Sequence, residues 1–321
     1  MKGVVGILQA YAAPDLEADS YTGERGVHLP ELIDGNQAAP TILADGSYFF
    51  PANATVQNPN FTGIRYKETA GQSYYNALLL SFEKRLSRGF SAGLNYTFSR
   101  NIDTGSIEIS QGTDNDLPQN PYNLKADHGL SNYDVRNYFV TFWNWDLPNL
   151  PGPRLMGSGW HWNAITTLSS GNPFSAVITF DRARAIPQSG TDPETPDLVP
   201  GASTNPILGD PARYFDPSSF ALQPAGFYGN LGRNTLIGPG LVKVDCSLIK
   251  QFRVTERLGV ELRTEAFNLF NHPNFSIPSQ RAVFSGVNAA TGLGIPVASA
   301  GLITSTQTSS RQLQLGLKVI F

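Results

Sequence analysis

Leu313-Gln314-Leu315-Gly316-Leu317-Lys318-Val319-Ile320-Phe321 closes the chain, and its reading decides the fold. Leu313, Leu315, Leu317, Val319 and Phe321 are apolar. Gln312, Gln314, Gly316 and Lys318 interleave as polar or small residues, and Ile320 departs from the alternation. A period of two puts one set on each face of a strand. About ten residues is the length of a transmembrane β-strand. A strand of that length ending on an aromatic residue predicts an outer-membrane β-barrel. Its five apolar residues would form the C-terminal signal that the barrel assembly machinery reads.

Composition agrees with a barrel. The 321 residues suit two average soluble domains or one membrane barrel. Charged residues are only 15% of the chain, against about a quarter in a usual soluble domain. Hydrophobic residues are 40%, yet no stretch approaches the roughly 18 consecutive apolar residues of a spanning helix. A helical membrane protein is therefore excluded, whereas a barrel interleaves lipid-facing and lumen-facing residues. The 31 Gly and 23 Pro predict many turns and loops. A net charge of −3 offers no basic surface for nucleic acid. The single cysteine, Cys246, rules out an internal disulfide and a Cys-based metal cluster. The start, Met1 to Leu8, lacks the long apolar region and cleavage site of a secretory signal. Because a barrel must be exported, the chain is expected to be the C-terminal piece of a longer protein.

Working back from the closing strand, alternating segments fall at 73–86, 90–100, 134–146, 159–169, 241–252 and 257–269. In the clearest, Phe90, Ala92, Leu94, Tyr96 and Phe98 share one face, with Ser91, Gly93, Asn95, Thr97 and Ser99 on the other. The connections alternate between short and long. The short ones are Leu86-Ser87-Arg88-Gly89, the Pro/Gly turn from Leu147 to Pro153, and Val254-Thr255-Glu256. The long ones run to about Tyr133, over about 173–238, and over about 271–309. Up-and-down barrels have short periplasmic turns and long extracellular loops. Parity then puts Phe321 in the periplasm, where an assembly signal must lie. Residues 1–72 read as one strand near 14–22 and a long loop from Gly23 to Gln72. The expected architecture is all-β: an antiparallel up-and-down transmembrane barrel, here an incomplete one of about eight strands with edges at both ends.

All four tryptophans, Trp143, Trp145, Trp160 and Trp162, flank one short turn. Indole prefers the bilayer interface, so they are expected to form part of an aromatic girdle in contact with outer-membrane lipid. A soluble β-sandwich would use the same residues as core. It would also bury Val242, Val244, Leu248, Leu258, Val260, Leu262, Leu313, Leu315, Leu317 and Val319.

Five stretches carry a family resemblance. They are Tyr21 to Leu29; Tyr75-Asn76-Ala77-Leu78 through Glu83 to Gly89; Tyr96-Thr97-Phe98-Ser99-Arg100 with Ile102-Asp103; Glu265-Ala266-Phe267-Asn268-Leu269-Phe270-Asn271-His272-Pro273-Asn274-Phe275; and Leu313 to Phe321. In order and spacing they resemble the C-terminal barrel of TonB-dependent receptors, especially the Oar-like group that carries a carboxypeptidase-regulatory-like domain. The resemblance covers nearly the whole chain from about residue 15. It implies uptake of a large or scarce solute across the outer membrane through barrels of about 22 strands with a lumen plug. This chain departs from the pattern: a plug and a segment for docking the TonB energising complex are expected only in a missing N-terminal part.

Catalytic, cofactor and metal sites are not expected. Gly89-Phe90-Ser91-Ala92-Gly93 matches a nucleophile elbow, which needs a strand, a strained turn and a helix. Here it opens an alternating strand. His28, His128, His161 and His272 lack metal-site spacing. Asp114-Asn115-Asp116 lacks the Gly and distal Glu of a calcium loop. Glu261, Arg263 and Glu265 alternate with the apolar residues of their strand and are expected to line the lumen as a charge network. A second functional class stays open: a self-contained small barrel or adhesin that binds through its loops.

Overall fold

The computed structural model describes residues 8–12, 16–106, 117–185, 194–255 and 258–321. One large antiparallel sheet dominates, with nine strands following one another in chain order. They are β1 (Leu8–Ala12), β2 (Leu16–Asp34), β3 (Arg65–Ser87), β4 (Phe90–Asp103), β5 (Asn137–Asp146), β6 (Trp160–Ser169), β7 (Leu241–Arg253), β8 (Gly259–Phe267) and β9 (Gln312–Ile320). A short segment, Gly129–Leu130, adds to the end of β4. β1 and β9 do not pair, so the sheet is an open up-and-down meander.

Register makes the alternation continuous across strands, because directly opposed residues share a face. Phe90 faces Trp145, then Trp162, Leu248, Thr264 and Leu315 in one row across six strands. One residue along, Ser91, Asn144, Asn163, Ser247, Glu265 and Gln314 form a polar row on the opposite face. A one-residue slip between any two strands would mix the rows. Leu78, Leu80 and Phe82 of β3 extend the apolar face through their partners Phe98, Tyr96 and Leu94.

Among the described residues, no second layer covers that apolar face. Leu262 is 41% exposed, and Leu313, Leu315 and Leu317 are 70–75% exposed. A β-sandwich needs these side chains buried, so that alternative is excluded.

The core lies in the loops. Segments 35–64, 104–136, 170–240 and 268–311 all leave the sheet at the edge opposite the short turns. Among the described residues they build five small sheets of two or three strands. Phe174, Phe215, Leu236 and Val283 are fully buried in one cluster. Ala38, Phe50, Ala183 and Ala185 form a second, which joins the 35–64 loop to the 170–240 loop. The base of the longest loop is closed by a backbone approach that excludes side chains. A Cβ on Gly171 would lie 1.8 Å from the Gly238 carbonyl oxygen.

The structure differs from the expected architecture at the N-terminal end. The long loop expected over 23–72 is confined to 35–64, because β2 continues to Asp34 and β3 begins at Arg65. The strand expected near 14–22 lies partly outside the described residues, and its described part opens β2. With β1, the meander has nine strands among the described residues, against about eight expected. Residues 24–34 and 65–72 pair beyond the continuous apolar rows of the other strands and show no period of two. Glu256 of the last short turn, and Asp114-Asn115-Asp116, lie outside the described residues.

Candidate functional site

The sheet presents two chemically opposite surfaces and a folded cap at one end. On the apolar surface, the closing strand places Leu313, Leu315, Leu317 and Val319 on the same face as Leu262 and Val260 of β8. Phe321 follows, almost fully exposed.

Three of the four tryptophans come together on this face, beside the turn between β5 and β6, and Trp160 lies on the same face against Lys250. Trp143 and Trp162 stack edge to face at 5.6 Å between ring centroids, and Trp145 and Trp162 lie 6.4 Å apart. Phe90 packs against Trp145 at 6.4 Å. Trp160 Nε1 donates to the Met156 carbonyl at 2.8 Å, so its polar atom is satisfied from the turn side.

Sequence reading missed Lys250. It falls in the apolar row of β7, between Leu248 and Phe252, and is only 2% exposed. Its ammonium sits over the rings of Trp160 (5.3 Å) and Phe252 (4.9 Å) and donates to the Ser158 carbonyl. Cation–π contact and a carbonyl acceptor keep the charge near the turn edge while the stem covers apolar surface. The signal was one lysine at an apolar position three residues from a strand end beside tryptophans.

On the polar surface, Glu261, Arg263 and Glu265 lie side by side as a charge network. Arg263 donates to Glu261 at 3.1 Å and lies 3.7 Å from Glu265. Gln251 extends it to Glu261 at 3.3 Å. Farther along, Asn163 donates to Ser247 at 3.2 Å, Lys243 to Asp245 at 2.6 Å, and His161 pairs with Asp146 at 2.5 Å. Ser91 sits inside β4 with no helix following, which removes the geometry of a nucleophile elbow. Among the described residues, no group of His, Cys, Asp or Glu is arranged to hold a metal.

The cap is bound to the sheet by a buried ion pair. Arg233 reaches from the 170–240 loop to Asp103 at the end of β4, and both side chains are 8% exposed. Its other donors reach the Asp103 carbonyl (2.8 Å), the Asp127 carbonyl (2.9 Å) and Ser106 Oγ (3.2 Å).

A family model described as an outer membrane beta barrel domain matches residues 18–314. No curated protein matches. Among solved structures, the outer membrane transporter YddB from Escherichia coli aligns with a TM-score of 0.46 and 8% sequence identity. The alignment covers 98% of this chain and 31% of that transporter, so the chain spans under a third of its length.

Proposed function

We propose that this chain, which belongs to the outer membrane beta barrel domain family, forms part of the wall of a TonB-dependent receptor of the Oar-like type. Its place is the outer membrane, and its architecture is that of the family's antiparallel barrel. The carrying observation is the continuous, uncovered apolar face backed by a polar one. In this reading the apolar face meets lipid, the Trp143–Trp145–Trp160–Trp162 cluster marks the periplasmic interface, and Glu261, Arg263 and Glu265 line the lumen. The wall itself performs no covalent chemistry. Energised uptake of a large or scarce solute belongs to a complete receptor, with the TonB complex as its partner.

The closing strand serves assembly in this reading. Deleting Phe321 is expected to reduce the outer-membrane level of the receptor several-fold in cells, with degradation of the unassembled chain. Unchanged levels in fractionated membranes would remove the signal role.

The second reading, a self-contained small barrel, requires β1 and β9 to meet. In a Cys246→Ser background, Gln9→Cys with Gln314→Cys tests this directly. A wall segment of a wide barrel leaves both edges apart, so little intramolecular cross-link should form after refolding in liposomes. Efficient cross-linking at high dilution would favour the small barrel instead.

A further inference from the structure

We propose that the loop cap holds a binding site for a small amphipathic acid, an apolar body carrying one carboxylate, between the 170–240 and 268–311 loops. A cavity of about 440 Å³ lies there. Small-molecule sites run from roughly 300 to roughly 1,000 Å³. The floor is the cap's own core, because Phe220, Val283 and Ala300 are buried members of that cluster. Phe284 and Val297 pack against the same core and form the sides. A Cβ on Gly294 would lie 2.5 Å from the Phe284 ring, so a glycine there lets the ring stand where it does. Pro296 and Ala298 are exposed at the mouth. A floor built from packed core keeps its shape without a ligand.

The lining offers few donors to a ligand. Pro217 and Pro296 have no N–H. Ser218 N donates to Asp216 Oδ1 at 3.1 Å, and Phe220 N donates to the Pro217 carbonyl. Val297 N donates to the Val283 carbonyl and Ala300 N to the Val297 carbonyl, both at 3.0 Å. The Ser218 hydroxyl is spent on Asp216 Oδ2 at 2.8 Å. Arg213 is the exception. Its side chain is more than half exposed, and Nη2 donates to Asp216 Oδ1 at 2.9 Å. Among the described residues, its Nε and Nη1 have no partner. Asp216, itself fixed by Ser218, thus steadies the guanidinium through one N–H and leaves a parallel pair of N–H groups for a planar carboxylate. The remaining lining side chains are apolar. A polar group placed against them would lose water without gaining a partner, which selects an apolar body. Asp216 also offsets part of the positive charge. The preference for an acid over its neutral amide therefore falls at the low end for a charge-assisted hydrogen bond, about tenfold.

The site belongs to the cap and stands independently of the chain's role as a barrel wall. Equilibrium dialysis reads it with phenylbutyrate and its neutral analogue phenylbutanamide, using the full chain refolded in liposomes and empty liposomes as the blank. Wild type should bind both saturably, and the acid about tenfold more tightly. Arg213→Met should bind the acid no better than the amide, and the amide as wild type does. Ala298→Trp, which places an indole in the mouth from an exposed position, should abolish saturable binding of both. Hydrogen exchange at the Val297 and Ala300 amides should match wild type in each variant. If the indole disturbs those amides, Arg213→Met alone decides, because its side chain lies largely in solvent. No saturable binding by wild type would overturn the proposal. So would equal affinity for acid and amide, an acid preference that survives Arg213→Met, or unchanged binding in a correctly folded Ala298→Trp.

Discussion

Leu315→Arg is expected to destabilise the bilayer-inserted state by roughly 2–4 kcal/mol, the cost of a cationic side chain at the bilayer midplane on the lipid face of a barrel. Leu315 occupies the centre of β9 and opposes Thr264, which in turn opposes Leu248, all in the middle of their strands. Leu262→Arg should cost less. Its row is two residues nearer the short turns, about 5 Å lower along a tilted strand. That row already contains Lys250 beside Trp160. An arginine there can reach the headgroup region as Lys250 does. Gln314→Arg is the control, because Gln314 belongs to the polar row with Glu265. Urea titrations in liposomes should rank the three as Leu315→Arg worst, Leu262→Arg intermediate and Gln314→Arg near wild type. A penalty for Gln314→Arg equal to that for Leu315→Arg would remove the assignment of faces.

The ranking depends on features that sequence alone exposes to different degrees. β4, β7, β8 and β9 were legible because each spans the apolar band with one face on either side, which enforces a period of two. The short turns were legible because Gly89 and the prolines from Pro148 to Pro153 punctuate them. β2 beyond Thr22 and β3 before Ser73 were not. There, pairs such as Glu31 with Glu68 and Leu32 with Lys67 carry no alternation. Backbone pairing holds those stretches, and backbone pairing leaves no trace in side-chain chemistry.

The cap was illegible for another reason. Its core draws single residues from distant, Pro- and Gly-rich stretches: Phe174, Phe215, Leu236 and Val283 belong to segments with no common period. Each sits in an apolar stretch of only a few residues, too short to set a period. Only tertiary approach, as between Gly171 and Gly238, turns them into an interior. The Trp cluster and the charge network over Glu261, Arg263 and Glu265 could be found early because their members are two residues apart on one strand or across one turn. Lys250 and Arg233 act through partners elsewhere in the chain, and no local spacing announces them.

Arg233→Met should release the cap from the sheet, at a cost of about 3–5 kcal/mol for stranding one member of a buried ion pair. The guanidinium serves the Asp103 carboxylate, the Asp103 and Asp127 carbonyls and the Ser106 hydroxyl together. Methionine fills part of the volume and satisfies none of these acceptors. Asp103 would retain the Ser106 hydroxyl at 2.7 Å, too little for a carboxylate with 8% exposure. The strand should stay paired, because β4 is held on both sides by β3 and β5. Proteolysis under native conditions should therefore accelerate within 170–240 by about a hundred- to a few thousand-fold, the kinetic equivalent of that cost when opening precedes cleavage. Cleavage of β4 itself should not change. Adding Asp103→Leu should recover much of the loss, since removing both charges avoids the buried unpaired one. A double variant as labile as Arg233→Met would mean that the carbonyl contacts, rather than the charge pair, fasten the cap.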